Sequence, residues 1–156
     1  MLAYLFWHRP QGGVDAGEYE AAQRDFHARL ESPSACFAVA EPPFGGGPAY
    51  EDWYLVDGWA ALGELNAAAV DARNRPGHDR AAALAGDGWG GIYALVRGAA
   101  TIPDAVRWLE KPRGRPLDFV LADLGEEAVV WQRQLVLGPA PELCLAAAGP
   151  PRRRVA

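Results

Sequence analysis

The side chains best suited to moving a proton in this sequence are its three histidines, at positions 8, 27 and 78. An imidazole gives or takes a proton near neutral pH, and a carboxylate beside it can hold the ring in place. His8 ends the aromatic run YLFWH, and His78 directly precedes Asp79. We therefore take His8 and His78 as candidate general acids or bases, with Asp52 or Asp79 as the carboxylate that orients the ring.

Few other nucleophiles or phosphate-binding groups occur in the chain. Serine is found only at Ser32 and Ser34, outside any G-x-S-x-G elbow, and the single lysine, Lys111, follows no glycine-rich phosphate loop. The two cysteines, Cys36 and Cys144, lie in apolar runs that are typical of small core residues. No histidine pair has metal-ligand spacing, so we expect neither a metal nor a cofactor, although one histidine in an apolar pocket would suffice to hold a haem.

The charge distribution argues against nucleic acid as a partner. The formal net charge is −5, and the one concentrated basic run is Arg152, Arg153 and Arg154. A nucleic-acid-binding surface needs a basic stripe that displaces counterions from phosphates, and this sequence has none. No stretch approaches the roughly 18 apolar residues of a membrane span, and no signal peptide is recognisable, so we expect a cytoplasmic protein without membrane contact.

The polarity pattern of the first 98 residues predicts a β-α-β-β-α-β unit. A chain of 156 residues, 50% of them hydrophobic, has the size of one domain with one core. Alternating apolar residues predict strands, and apolar residues at three- and four-residue spacing predict helices. The predicted strands are 4–10, 35–40, 51–57 and 90–98, and the helices begin after Asp15 and at Gly58. His27 is expected at the solvent edge of the first helix, whose buried stripe is Tyr19, Ala22, Phe26 and Leu30.

The last third of the chain, residues 99–148, is predicted to add a helix and three strands to the same domain. Thr101 and Asp104 have the spacing of a capping box, which predicts a helix from there to Lys111. The segments 118–124, 128–137 and 142–147 have the apolar content and turn boundaries of strands. Residues 149–156 are expected to form a flexible basic tail.

The β-α-β-β-α-β pattern, with aromatic residues on the strands and a histidine in the first, resembles the dimeric α+β barrel superfamily. That superfamily includes YCII-related domains, antibiotic-biosynthesis monooxygenases and EthD-like proteins, and the resemblance covers residues 1–98 at the level of architecture. It implies a ferredoxin-like antiparallel sheet with both helices on one face, and a homodimer in which two sheets form a barrel. It also implies a small-molecule pocket between the sheet and its helices or within the barrel.

Strand alternation sorts the polar groups of this predicted sheet onto one face. An apolar set is expected to face the helices: Leu5, Trp7, Trp53, Leu55, Ile92, Ala94 and Val96. The alternate positions then share the other face, where His8, Asp52 and Arg97 are candidate catalytic residues. The candidate ligand-binding residues on that face are Tyr4, Phe6, Tyr54 and Tyr93. The structural alternative is a salt-bridge network at a dimer interface, in which Asp52 and Arg97 neutralise each other.

A second candidate region is the segment from Asp71 to Trp89, which is long for a connection between a helix and a strand. As a lid it would bring His78, Asp79 and Trp89 to the ligand. The alternative is a short helix through Ala85, with His78 exposed and Asp79 near the positive helix N-terminus.

Two functions fit these residues. The first is a cofactor-independent enzyme, an isomerase, cyclase, decarboxylase or monooxygenase, that acts on a small apolar or aromatic compound by histidine acid-base chemistry. In that enzyme Arg97 would hold an anionic oxygen of the substrate. The second is a non-catalytic ligand-binding or accessory dimer, of which a haem-binding protein is one form.

Overall fold

The chain forms an α+β fold in a computed structural model that describes residues 1–125, 128–135 and 138–156. In those residues, four helices accompany one curled antiparallel sheet of eight strands. The elements in chain order are β1 (Leu2–Pro10), α1 (Ala16–His27), β2 (Ser34–Val39), β3 (Ala49–Val56), α2 (Gly58–Ala69), α3 (Arg75–Leu84), β4 (Ala85–Arg97), β5 (Ala105–Leu109), α4 (Leu117–Asp123), β6 (Val130–Arg133), β7 (Leu143–Pro151) and β8 (Arg153–Arg154). None of the described helices combines the length and the hydropathy that crossing a membrane requires.

The strands lie in the order β5-β7-β6-β4-β1-β3-β2-β8. β1 is central, with β3 on one side and β4 on the other, and both pairs are antiparallel. α1 connects β1 to β2, and α2 and α3 together connect β3 to β4. The predicted α+β class and antiparallel sheet are therefore confirmed.

The helices cover the face opposite to the one predicted. Tyr4 pairs with Tyr54 and with Ile92, and these side chains pack against the helices together with Phe26 and Leu65. The tryptophan-rich face, which we expected under the helices, is covered by the C-terminal strands of the same sheet. Large side chains from both parts of the chain meet there: Trp53 contacts Trp131, and Trp108 contacts Trp7 and Tyr93.

The assignment of faces also fails for β4. Ala3 pairs with Tyr93, so Tyr93 lies on the tryptophan-rich face, whereas Ile92 shares the face of Tyr4. β4 begins at Ala85, five residues earlier than predicted, and passes through Gly86, Gly88, Gly90 and Gly91. A run of glycines has no side-chain alternation from which the two faces could be distinguished.

In the last third of the chain, the segment predicted as a helix forms a strand, and the first segment predicted as a strand forms a helix. Residues 105–109, predicted as helix, form β5, because Val106 and Trp108 both point into the tryptophan-rich core. Residues 118–124, predicted as strand, form most of α4, whose packed residues recur at helical spacing: Leu117, Val120, Leu121 and Leu124. The strands predicted at 128–137 and 142–147 correspond to β6 and to part of β7, except that residues 136 and 137 lie outside the described residues.

The prediction of a flexible basic tail is wrong. The side chain of Arg152 is only 7% exposed: its guanidinium pairs with Glu51 and lies 3.9 Å from the ring centre of Phe37. β8 then pairs with β2, opposite Phe37 and Ala38. The reason is Glu51, a buried carboxylate that also accepts hydrogen bonds from the indoles of Trp7 (2.8 Å) and Trp53 (2.7 Å). Burial raises the pKa of Glu51 even with the Arg152 charge beside it, and burial lowers the pKa of Arg152.

Candidate functional site

A cavity of about 820 Å³ lies between the sheet and the helices α1, α2 and α3. Its walls are mostly aromatic and aliphatic, and they include Tyr4, Phe6, Phe26, Tyr54, Leu65 and Ile92. Trp59, which is 53% exposed, also contributes to the lining. A space of this size with apolar walls is typical of a small-molecule site.

Glycine residues in β4 leave room for the aromatic side chains on the cavity side of the sheet. The ring of Phe6 lies directly over Gly88, where a Cβ atom would overlap it. The ring of Tyr4 lies over Gly90, and a Cβ there would come within 3.1 Å of its Cε2 atom. The absence of side chains on these two residues therefore lets Phe6 and Tyr4 lie flat against β4.

Five polar side chains form a buried network at one end of the cavity. His8 Nδ1 and the Tyr19 hydroxyl are 2.6 Å apart, and His8 Nε2 lies 3.2 Å from Asp52 Oδ2. The Tyr54 hydroxyl donates to the same Asp52 oxygen at 2.8 Å. His27 Nε2 lies 3.4 Å from the other oxygen, Asp52 Oδ1. Asp52 thus has a histidine near each of its carboxylate oxygens.

Two adjacent strands and one helix position this network. Phe6 pairs with Asp52 across β1 and β3, which brings the His8 side chain, two residues further along the same face, next to the carboxylate. Tyr19, Gln23 and His27 are buried on one face of α1 at four-residue spacing. The Ser34 hydroxyl holds the far side of the His27 ring, 2.9 Å from Nδ1.

Burial and the two histidines have opposite effects on Asp52. Burial by itself would raise the pKa of the carboxyl group, but the charges of the neighbouring His8 and His27 outweigh it and hold that pKa far below its usual range. Burial, and then the charge of Asp52, raise the pKa of the Tyr19 and Tyr54 hydroxyls. The network therefore contains an ionised carboxylate and two phenols that keep their protons.

The same region contains the groups that could hold a metal. His8, Cys36 and Asp52 each offer one ligand atom, and the three atoms lie within 4.8 Å of one another. A haem does not fit against His8, because its wide ring needs open space around the iron and the Tyr19 hydroxyl and Asp52 Oδ2 lie 2.6 Å and 3.2 Å from the two ring nitrogens.

Five of the predicted site residues meet at this cavity: His8, Asp52, Tyr4, Phe6 and Tyr54. His78 also lines it, from α3, and the side chain is 37% exposed. Its Nδ1 atom lies 3.1 Å from Asp79, whose side chain is 64% exposed and outside the lining. The segment from Asp71 to Trp89 thus contains the predicted short helix, and no long loop.

The other three predicted residues lie elsewhere. Arg97 donates to the carbonyl oxygens of Leu121 and Gly125, at 2.7 Å each, which ties β4 to the end of α4. Tyr93 lies on the tryptophan-rich face and donates to the carbonyl of Pro141. Trp89 packs under the Arg9 guanidinium, 5.0 Å from its ring centre. The interpretation that Arg97 neutralises Asp52, or holds a substrate oxygen beside it, is therefore wrong.

Sequence reasoning missed Tyr19, Gln23 and His27. Tyr19 was assigned to the core, and His27 to a solvent edge, whereas His27 is only 7% exposed. Polar groups at positions 19, 23 and 27 mark one continuous row on a helix, and that row was the available signal.

No family model, curated protein or solved structure matches the chain. The chemistry of the cavity is therefore inferred from its own residues.

Proposed function

We propose that the protein binds a small apolar or aromatic molecule in this cavity and acts on it as a cofactor-independent enzyme by proton transfer. The observation that carries the proposal is the combination of an aromatic cavity with the Tyr19–His8–Asp52 network at one end of it. The apolar walls favour a ligand with little charge, and in the described residues no lysine or arginine lines the cavity to balance an anion.

The proton path runs through Tyr19. Its hydroxyl donates to His8 Nδ1 when the other ring nitrogen carries the proton that faces Asp52. As a proton leaves the ligand for the Tyr19 oxygen, the Tyr19 proton passes to His8, and the cationic imidazole is stabilised by Asp52. Isomerisation, cyclisation, decarboxylation and cofactor-free oxygenation of an activated ring all begin or end with such a transfer.

The order of the central strands supports a ferredoxin-like unit within the larger sheet. β4, β1, β3 and β2 are neighbours in that order, and helices connect β1 to β2 and β3 to β4. We propose on this basis that residues 1–98 belong to the dimeric α+β barrel type. A pocket between sheet and helices agrees with what that resemblance implies.

A homodimer is part of this proposal, and it rests on the resemblance alone. The sheet face opposite the helices is packed against the chain's own β5, β6 and β7, so it does not itself require a partner. We expect light scattering at micromolar concentration to give twice the chain mass of 16.8 kDa. A measured mass of 16.8 kDa would refute the homodimer and would not affect the proposed ligand binding in the cavity.

The second candidate function is a ligand-binding protein without catalysis. It is favoured by one observation: Tyr19 is 0% and His8 1% exposed, so a ligand in the cavity reaches the network only at its margin. In that case the network stabilises the fold and the aromatic walls alone bind the ligand.

A neutral naphthyl ketone tests both parts of the proposal, because its binding and the exchange of its acidic C–H protons in heavy water are separate measurements. Tyr19→Phe keeps the ring and removes the hydroxyl. We expect it to leave the dissociation constant within about threefold and to lower the exchange rate at least about tenfold. Calorimetry measures the binding, and mass spectrometry measures the deuterium gained.

Two alanines of α3 give a matched control for the cavity. Ala81 is buried and lines the cavity, whereas Ala83 is exposed and does not. Ala81→Phe should weaken ketone binding at least about tenfold, and Ala83→Phe should leave it unchanged. Binding without exchange above the buffer rate in the unmodified protein would establish the binding-protein alternative, and equal binding by both variants would place the ligand outside the cavity.

A further inference from the structure

Two buried polar atoms at the end of the cavity lack hydrogen-bond partners in the described part of the chain: His8 Nε2 and Asp52 Oδ1. His8 is 1% and Asp52 2% exposed. The contacts of 3.2 Å and 3.4 Å between Asp52 and its two histidines are short enough for ion pairs but are misaligned for these two atoms as hydrogen bonds. Buried polar atoms are nearly always hydrogen-bonded, so two atoms that make only ion-pair contacts at one point mark a place where a further group could bind.

A third ligand-type atom lies at the same point. Cys36, which is 0% exposed, pairs with Asp52 across β2 and β3 and presents its thiol on the same side of the sheet. The imidazole nitrogen, the sulfur and a carboxylate oxygen lie within 4.8 Å of one another. Nitrogen, sulfur and oxygen together are the donors that Zn²⁺ takes in proteins.

We propose that His8 Nε2, Cys36 Sγ and a carboxylate oxygen of Asp52 bind a Zn²⁺ ion. Donors bound to zinc at about 2.0–2.3 Å stand roughly 3.5 Å apart. The three atoms lie within 4.8 Å of one another, so they need to approach by at most about 1.3 Å. The Cys36 thiol releases its proton to solvent, and a sulfur–zinc bond replaces the S–H bond. Thiolate and carboxylate then balance the charge of the ion, which suits a buried site.

The groups around these donors already have the contacts that metal ligands require. With zinc on Nε2, His8 carries its proton on Nδ1 and donates it to the Tyr19 oxygen 2.6 Å away. The Asp52 carboxylate accepts from the Tyr54 hydroxyl at 2.8 Å. Such outer contacts fix the orientation of the ligands and are a regular part of protein zinc sites. Of the three donors, His8 and Asp52 line the cavity, so the ion and a fourth ligand would enter from that side.

Zinc binding goes beyond the proposed function and is measured without any substrate. Zinc occupies His8 Nε2, the nitrogen that faces Asp52, and leaves the ring proton on Nδ1. Nδ1 then donates to the Tyr19 oxygen and can no longer accept the proton of the Tyr19 hydroxyl. We therefore expect zinc to inhibit the proton transfer proposed above and to act as a regulator of that site.

The test is a titration of the metal-free, full-length protein with Co²⁺, followed by displacement with Zn²⁺. Cobalt bound to a thiolate gives a charge-transfer absorption band in the near ultraviolet, and we expect that band to saturate at one equivalent. Cys36→Ala should abolish the band and weaken zinc binding at least about tenfold. Cys144 is the matched control, since it is also a buried free cysteine but packs on the tryptophan-rich face; Cys144→Ala should keep the band.

The unmodified protein alone can overturn the proposal. If one equivalent of cobalt produces no thiolate band, the three donors do not form a metal site, whatever the variants do. A band that survives Cys36→Ala, or that Cys144→Ala removes, would place the metal elsewhere. Loss of ketone exchange on Tyr19→Phe with no cobalt band would refute the zinc site and leave the proposed function standing.

Discussion

Arg152→Ala is expected to lower the free energy of unfolding by about 3–5 kcal/mol. The guanidinium is paired with Glu51, and both side chains are buried, at 7% and 2% exposure. Without it, a buried carboxylate keeps only the indole N–H groups of Trp7 and Trp53 as partners. The variant also removes the packing of the guanidinium on the Phe37 ring of β2. Urea unfolding followed by tryptophan fluorescence measures the loss, because two of the indoles touch Glu51.

Two controls separate the ion pair from a general effect of the basic tail. Arg154→Ala removes an exposed arginine two residues away and should change stability by less than about 0.5 kcal/mol. Glu51→Gln in the Arg152→Ala background should recover part of the loss, since it removes the unpaired charge. If Arg152→Ala costs no more than Arg154→Ala, the buried pair does not stabilise the fold.

Asp52→Asn is expected to lower the free energy of unfolding at pH 7 by about 3 kcal/mol. The carboxylate lies between His8 and His27 and accepts from Tyr54, and an amide of the same shape supplies neither the charge nor two acceptor oxygens. Urea unfolding in a buffer with a strong chelator measures this loss for the metal-free network.

The chain contains a second histidine–aspartate pair, at its surface, that serves as a control for the buried Asp52 network. His78 and Asp79 are 3.1 Å apart, but their side chains are 37% and 64% exposed. Exposed ion pairs contribute about 0–1 kcal/mol, so Asp79→Asn should have little effect. Similar losses for the two asparagine variants would contradict the view that burial makes the Asp52 network important.

Half of the site could be predicted because β1 and β3 alternate strictly. The residues Tyr4, Phe6 and His8 recur at every second position, as do Asp52 and Tyr54, and a strand places such residues on one face. The face that the helices cover could not be predicted in this way. Both faces of β3 are buried, so its polarity pattern does not distinguish the helix side from the tryptophan side.

The remaining errors come from contacts that are distant in sequence. Nothing near Arg152 indicates that it will meet Glu51, 101 residues away in the chain. The segment around Val106 and Trp108 has a good capping sequence for a helix, but it forms a strand because β7 and the tryptophan-rich core accept it. Local preferences are overridden where the tertiary structure offers more buried contacts.

The adjacent acids Glu51 and Asp52 point to opposite faces of β3, and each is compensated only on its own side. A one-residue slip of β3 against β1 would turn every side chain of the strand to the other face. Glu51 would leave Arg152 and the indoles, and Asp52 would leave its histidines, so two buried charges would lose their partners together. An apolar strand buried on both faces would tolerate such a slip far better. The two acids therefore select the native alignment of the central strands over its nearest alternatives during folding.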